Sequence, residues 1–167
     1  MSTFTAYFLE DGFIFAADRY RTKGIPPNTT QVEVEKIFAW PNEPAIVASI
    51  GHGVVGNETT QEFFGNFIAA NSALGDPAIL ARKLRDEIQA ARASNPIEGQ
   101  IVQFAAFADR GGITVPEYYH ITNVYRIDEL GRYGDVRADF GCSEEILGHW
   151  LSDVPAIDLR AELGRRA

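Results

Sequence analysis

Three short patterns in this sequence are of a kind that does chemistry. Ser2 follows an initiator Met, and a hydroxyl residue at a mature N-terminus can use its own α-amine as the activating base. That amine has an ordinary pKa of roughly 7.7–8.0, close enough to neutral to accept a proton. Asp18 ends the apolar run Phe13–Ala17, and a carboxylate closing a buried strand is costly unless something pairs with it. Gly51-His52-Gly53-Val54-Val55-Gly56 has the G-x-G-x-x-G spacing, after one apolar run and before a helical one. Read alone, it suggests a turn whose backbone N–H groups take a dinucleotide pyrophosphate, or a plain structural turn. Each also has a blander reading, Ser2 as an ordinary chain end and Asp18 as a turn residue. Cys142 and His149 invite a Cys–His nucleophile, but a lone Cys is more often a small buried hydrophobe. His52 and His120 lack a two-ligand metal spacing, so no metal and no cofactor is expected.

The elements that must position these residues can be read from periodicity. Thr3–Leu9 and Phe13–Ala17 flank Asp11-Gly12, a strong signal for a hairpin with a type I′ turn. Folding it returns Asp18 towards the chain start. Gly24–Asn28, with Pro26 and Pro27, reads as a loop. Thr30–Glu35 alternates as a half-wet strand that continues through Lys36 to Trp40, where a surface residue is the blander reading of Lys36. Ala45–Ile50 is a fully covered strand. Helices are expected over Asn57–Ser72, capped by Asn57 or Thr59, and over Pro77–Ala93, capped by Asp76. Strands follow at Ile101–Ala108, Ile113–Asn123, Val124–Ile127 and Val136–Phe140. Pro116 marks an edge or bulge. Gly141-Cys142-Ser143 then opens a helix to about Ser152, with Ser143 as cap, and the tail from Pro155 forms one more. Strands joined by short turns, with helices in pairs, predict an α+β fold of two mainly antiparallel sheets with helices outside.

Composition bounds the possibilities. A chain of 167 residues suits a single domain, 1–167, with a sizeable core. A net charge of −8 argues against a nonspecific nucleic-acid or anionic-membrane binder. One Cys excludes an intramolecular disulfide and fits a reducing, cytoplasmic setting. No apolar run approaches the ~20 residues of a membrane span, and no signal peptide is expected.

Taken in order, Ser2-Thr3, Asp11-Gly12, Ala16-Ala17-Asp18, Arg21-Thr22-Lys23-Gly24, Lys36-Ile37 and Ser49-Ile50-Gly51 resemble the proteasome-type β subunits. These are N-terminal nucleophile (Ntn) hydrolases, and they include the peptidase subunits of simpler bacterial ATP-dependent proteases. The resemblance covers Ser2 to about Phe67, loosens to Leu151 and then ends. It implies a four-layer αββα sandwich, here shortened at the C-terminus. It also implies amide-bond hydrolysis by Ser2 after Met1 removal, with Ser2 standing where the family has its catalytic Thr. Lys36 would be the buried Lys that lowers the pKa of the amine and hydroxyl, Asp18 its counter-ion, and the Gly51 N–H the oxyanion donor. Ser143 would match a Ser near the start of the third helix. The implied partners are a peptide or protein substrate, further copies of the chain in a homo-oligomer, and an ATPase or activator. The sequence departs from the family in the Ser for Thr, in a two-residue longer spacing to Lys36, and in lacking a later Asp and Ser. A catalytically silent assembly subunit and, more remotely, a nucleotide-binding domain built on Gly51–Gly56 are the alternatives.

Overall fold

The computed structural model describes residues 4–9, 12–25, 27–51, 53–92, 99–127 and 133–143. In chain order the elements are β1 (Phe4–Leu9), β2 (Gly12–Ala17), β3 (Tyr20–Ile25), β4 (Asn28–Glu33), β5 (Ile37–Ala39), β6 (Ala45–Gly51), β7 (Val54–Val55) and β8 (Glu58–Thr59). There follow α1 (Thr60–Ala70), α2 (Pro77–Arg92), β9 (Gln100–Asp109), β10 (Thr114–Ile127) and β11 (Tyr133–Ser143). The architecture is mixed α+β, and every strand pairing among the described residues is antiparallel.

A five-stranded sheet in the order β11-β10-β9-β6-β5 forms the centre. Strand alternation gives it two distinct faces. On one, Val47, Val102, Phe104, Tyr119 and Ile121 join Phe63, Phe64, Phe67, Leu84 and Ile88 of the two helices in a buried cluster. Trp40, just past β5, locks the layers together, edge-on to Phe67 at 6.3 Å and tilted on Phe104 at 5.5 Å. An 11-residue helix is marginal alone, so α1 is held by its buried Phe63, Phe64, Phe67 and Ile68. The side chains of opposite parity face the other way. There Phe107 stacks on Phe13 at 5.3 Å and Tyr118 meets the edge of Phe15 at 6.3 Å, so the β1–β2 hairpin covers that face. The layers therefore run hairpin, sheet, helices.

Local chemistry sets the helix ends as the sequence suggested. Thr59 caps α1 in a reciprocal capping box with Glu62. Asp76 accepts from the N–H of Ala78 at 2.8 Å ahead of Pro77. Arg110, in the β9–β10 turn, donates to Asp76 at 2.9 Å and forks onto Glu117 at 2.7 and 2.9 Å, tying that turn to the start of α2. No described helix is long and apolar enough to cross a membrane.

Several expectations need correction. In the first hairpin Gly12 pairs with Leu9, so it opens the second strand instead of sitting in the turn. The segment read as a loop before Thr30 contains a second hairpin, with Ile25 opposite Asn28 around Pro26-Pro27. The single strand expected over Thr30–Trp40 is two, because residues 34–36 leave the ladder between β4 and β5. Gly141-Cys142-Ser143 forms the end of β11, with Ser143 opposite His120, so the strand expected over Val136–Phe140 runs on through these three residues. The helices expected beyond it lie outside the described residues. Pro116 sits inside β10, opposite Phe107, four residues before the first described pairing with β11, at His120. It therefore lies outside the described β10–β11 ladder.

Candidate active site

The break between β4 and β5 is where the site is built. Leaving the ladder, the chain turns the Lys36 side chain inward until only 7% of it is exposed. The backbone stays anchored, since the Lys36 carbonyl accepts from the N–H of Ser49 on β6 at 2.9 Å. The ammonium donates to Asp18 Oδ1 at 2.8 Å and to the Tyr20 carbonyl at 2.7 Å. Asp18 is 29% exposed against 7% for Lys36, and its second oxygen accepts from the Tyr20 N–H at 3.4 Å. A buried ammonium needs such partners to stay charged, and the short turn from β2 into β3 supplies both.

Gly51 ends β6 and shares a cleft with Lys36, Ser49, Arg21, Gly53 and Thr60. Its φ is +129°, and a Cβ there would lie 2.5 Å from the Gly99 carbonyl oxygen, so only glycine fits. A buried polar network fixes this end of the sheet. The Gln100 side chain, fully buried, donates to Ser49 Oγ at 3.0 Å and accepts from Arg92 at 3.3 Å. The Gln100 backbone N–H donates to Asn123 Oδ1 at 2.8 Å, and its carbonyl accepts from Thr122 Oγ1 at 2.9 Å. Gln100 is the register partner of Gly51, so the network holds the glycine's strand from beneath.

The structure thus brings Asp18, Lys36 and Gly51 to one place. Ser2 lies outside the described residues. Phe4, two positions along, pairs with Ala17, the neighbour of Asp18. Ser143 is elsewhere: β11 is three strands from β6, and its register aligns Ser143 with Ala48, not Gly51. At the usual strand spacing that is about 14 Å across the sheet before any offset along it.

The glycine motif does not form a strand–turn–helix unit. Gly53 leads into β7, Gly56 (φ +62°) turns β7 into β8, and α1 starts only at Thr60. A Cβ on Gly56 would meet the Ala91 carbonyl oxygen of α2 at 2.6 Å, so this glycine serves close packing. β6 is antiparallel to both neighbours, unlike the parallel crossover that a dinucleotide turn requires. The N-terminal N–H groups of α1 are partly occupied as well: Glu62 N–H donates to Thr59 Oγ1 and Thr60 N–H to the Gly53 carbonyl.

Sequence reasoning missed Arg21, the Tyr20 carbonyl and the Gln100 network. Ser49, a polar residue inside the apolar run Ala45–Ile50, was the one available signal for the last. Compared with protein-family models, curated proteins and solved structures, the chain finds no match, so its chemistry must be argued from the site itself.

Proposed function

We propose that this chain is an N-terminal nucleophile hydrolase that cleaves amide bonds of a peptide or protein substrate with Ser2, once Met1 is removed. The observation that carries the reading is the buried Lys36 ammonium, held by Asp18 and the Tyr20 carbonyl in the cleft that Gly51 lines. Chain geometry keeps the Ser2 Cα within about 7 Å of that of Phe4, beside the Asp18 end of the hairpin. A fixed positive charge close to the terminal amine disfavours its ammonium form and keeps it a base at neutral pH. In the reaction, Ser2 Oγ attacks the scissile carbonyl while the α-amine takes the hydroxyl proton. The Gly51 N–H donates to the developing oxyanion. The amine then gives its proton to the leaving nitrogen, and the remaining Ser2 ester is hydrolysed by water with the same amine as base.

The hairpin and the two helices on opposite faces of the central sheet support the reading of the fold as part of an αββα sandwich. Under this proposal the chain works in a cytoplasmic homo-oligomer, with an ATPase or activator as a further partner, and binds neither nucleic acid nor membrane. One observation favours a second reading, a catalytically silent assembly subunit: Ser143 sits three strands from Gly51, so that member of the resembled site is not beside the other three.

Turnover of a mixed set of fluorogenic peptide amides separates the two. The hydrolase reading expects hydrolysis that falls at least about a hundredfold in Ser2→Ala and in Lys36→Met, mainly in kcat. Ser2→Thr should keep activity. Turnover unchanged in Ser2→Ala would remove the proposal.

A further inference from the structure

Arg21 stands next to the carbonyl that holds Lys36, yet nothing in the mechanism uses it. On β3 the exposed Tyr20 points outward and Arg21 turns into the cleft beside Lys36 and Gly51. Its guanidinium lies against Gly53: a Cβ at that position would be 1.6 Å from Nη1 and 2.4 Å from Cζ. Gly53 therefore clears the space that the guanidinium fills. The Arg21 Nε is shielded from solvent and makes no hydrogen bond. Among the described residues no carboxylate forms an ion pair with Arg21. Glu35 lines the same cleft but is exposed and does not bridge to it. Lys36, the other cation there, is engaged by Asp18.

The shielded Nε is closed to a ligand, but a guanidinium stays charged at any relevant pH and carries its other N–H donors on the two terminal nitrogens. Its planar fork matches a carboxylate, which can accept two parallel N–H bonds from it. We infer that the space between Arg21 and Gly51 is a carboxylate-binding subsite. It takes the side chain of an Asp or Glu adjacent to the scissile amide, so this chain cleaves beside acidic residues. The position of the scissile bond rests on the hydrolase reading above; the carboxylate site does not.

The test measures binding and turnover of three blocked peptides by the full-length protein, followed by calorimetry and by fluorogenic hydrolysis. One carries an internal Glu and an amidated C-terminus. The second has Gln in its place. The third has the Gln but a free C-terminal carboxylate. The Glu peptide should bind at least about tenfold tighter than the amidated Gln peptide, the scale of a charge-assisted hydrogen bond. That ratio should collapse towards one in Arg21→Gln and be partly kept in Arg21→Lys. Gly53→Ala, whose new methyl displaces the guanidinium, should collapse it independently, which guards against misfolding of a single variant. Equal affinities for Glu and Gln in the unmodified protein overturn the subsite. A gain confined to the free-terminus peptide overturns the side-chain assignment. Hydrolysis without a Glu preference sinks the subsite and leaves the hydrolase. Arg21-dependent Glu binding without any hydrolysis does the reverse.

Discussion

Removing either partner of the Lys36–Asp18 pair breaks the same 2.8 Å contact, but the two losses should be unequal. The reason is exposure: 7% for the Lys36 side chain against 29% for Asp18. Asp18→Ala strands a buried ammonium, and breaking a buried pair in this way costs about 3–5 kcal/mol. The Tyr20 carbonyl still accepts from Nζ, and Asp18 is partly hydrated, so the lower end, about 3 kcal/mol, is expected. Lys36→Met keeps the stem's volume and leaves a carboxylate that water already reaches, together with a carbonyl on an exposed residue. Its cost should be about 1 kcal/mol, the net worth of an ordinary hydrogen bond. In the double variant no buried charge remains, so it should be more stable than Asp18→Ala alone. Urea denaturation of the four proteins, read from midpoints at constant slope, gives the cycle. If Asp18→Ala is no more destabilising than Lys36→Met, or if the double variant is the least stable, the argument from a buried, partner-dependent cation is wrong.

Gly51→Ala forces a Cβ to 2.5 Å from the Gly99 carbonyl at a φ that favours glycine, and should cost about 1–3 kcal/mol and lower kcat, checked by denaturation and peptide turnover. Gln100→Leu should cost about 1–3 kcal/mol by removing a buried hydrogen-bond partner of Ser49 and Arg92, whereas Gln100→Glu, which keeps an acceptor for Arg92, should be milder; thermal unfolding checks the order. Burial lowers the pKa of His120, which means that the folded state favours neutral imidazole. Its contribution is therefore fully present above the unfolded value of about 6.5 and is lost as pH falls from there through the lower folded value. Stability measured from pH 7.5 to 5 should decline more steeply in the parent than in His120→Gln, and identical slopes would show that His120 is not the group responsible.

The local elements were legible where one physical signal governs them. The capped starts of α1 and α2 follow from residue type and spacing alone. The Lys36–Asp18 pair was expected only from the resemblance, because in an alternating strand Lys36 reads as a surface residue. What turns it inward is the ladder break at residues 34–36, set by the β3–β4 hairpin around Pro26-Pro27. Two prolines read locally as a loop and hide that hairpin, since strand pairing on either side is a tertiary effect. The extension of β11 to Ser143 was hidden for a related reason: its pairing with His120 is a cross-strand, tertiary effect, while the local sequence before Glu-Glu reads as a helix start. Arg21 carried no signal, because only the folded chain reveals that Gly53 makes room for it.

The hydrolysis proposed for this site depends on Ser2 being a nucleophile with a free amine, activated by Lys36. Its most direct test is to incubate the purified protein with an activated peptidyl ester, then to determine the intact mass and map the modified peptide. The expected product is a chain lacking Met1, acylated once, on Ser2, with acylation lost in Lys36→Met under the same conditions. A chain that retains Met1, or an acyl group found anywhere but on Ser2, would contradict it.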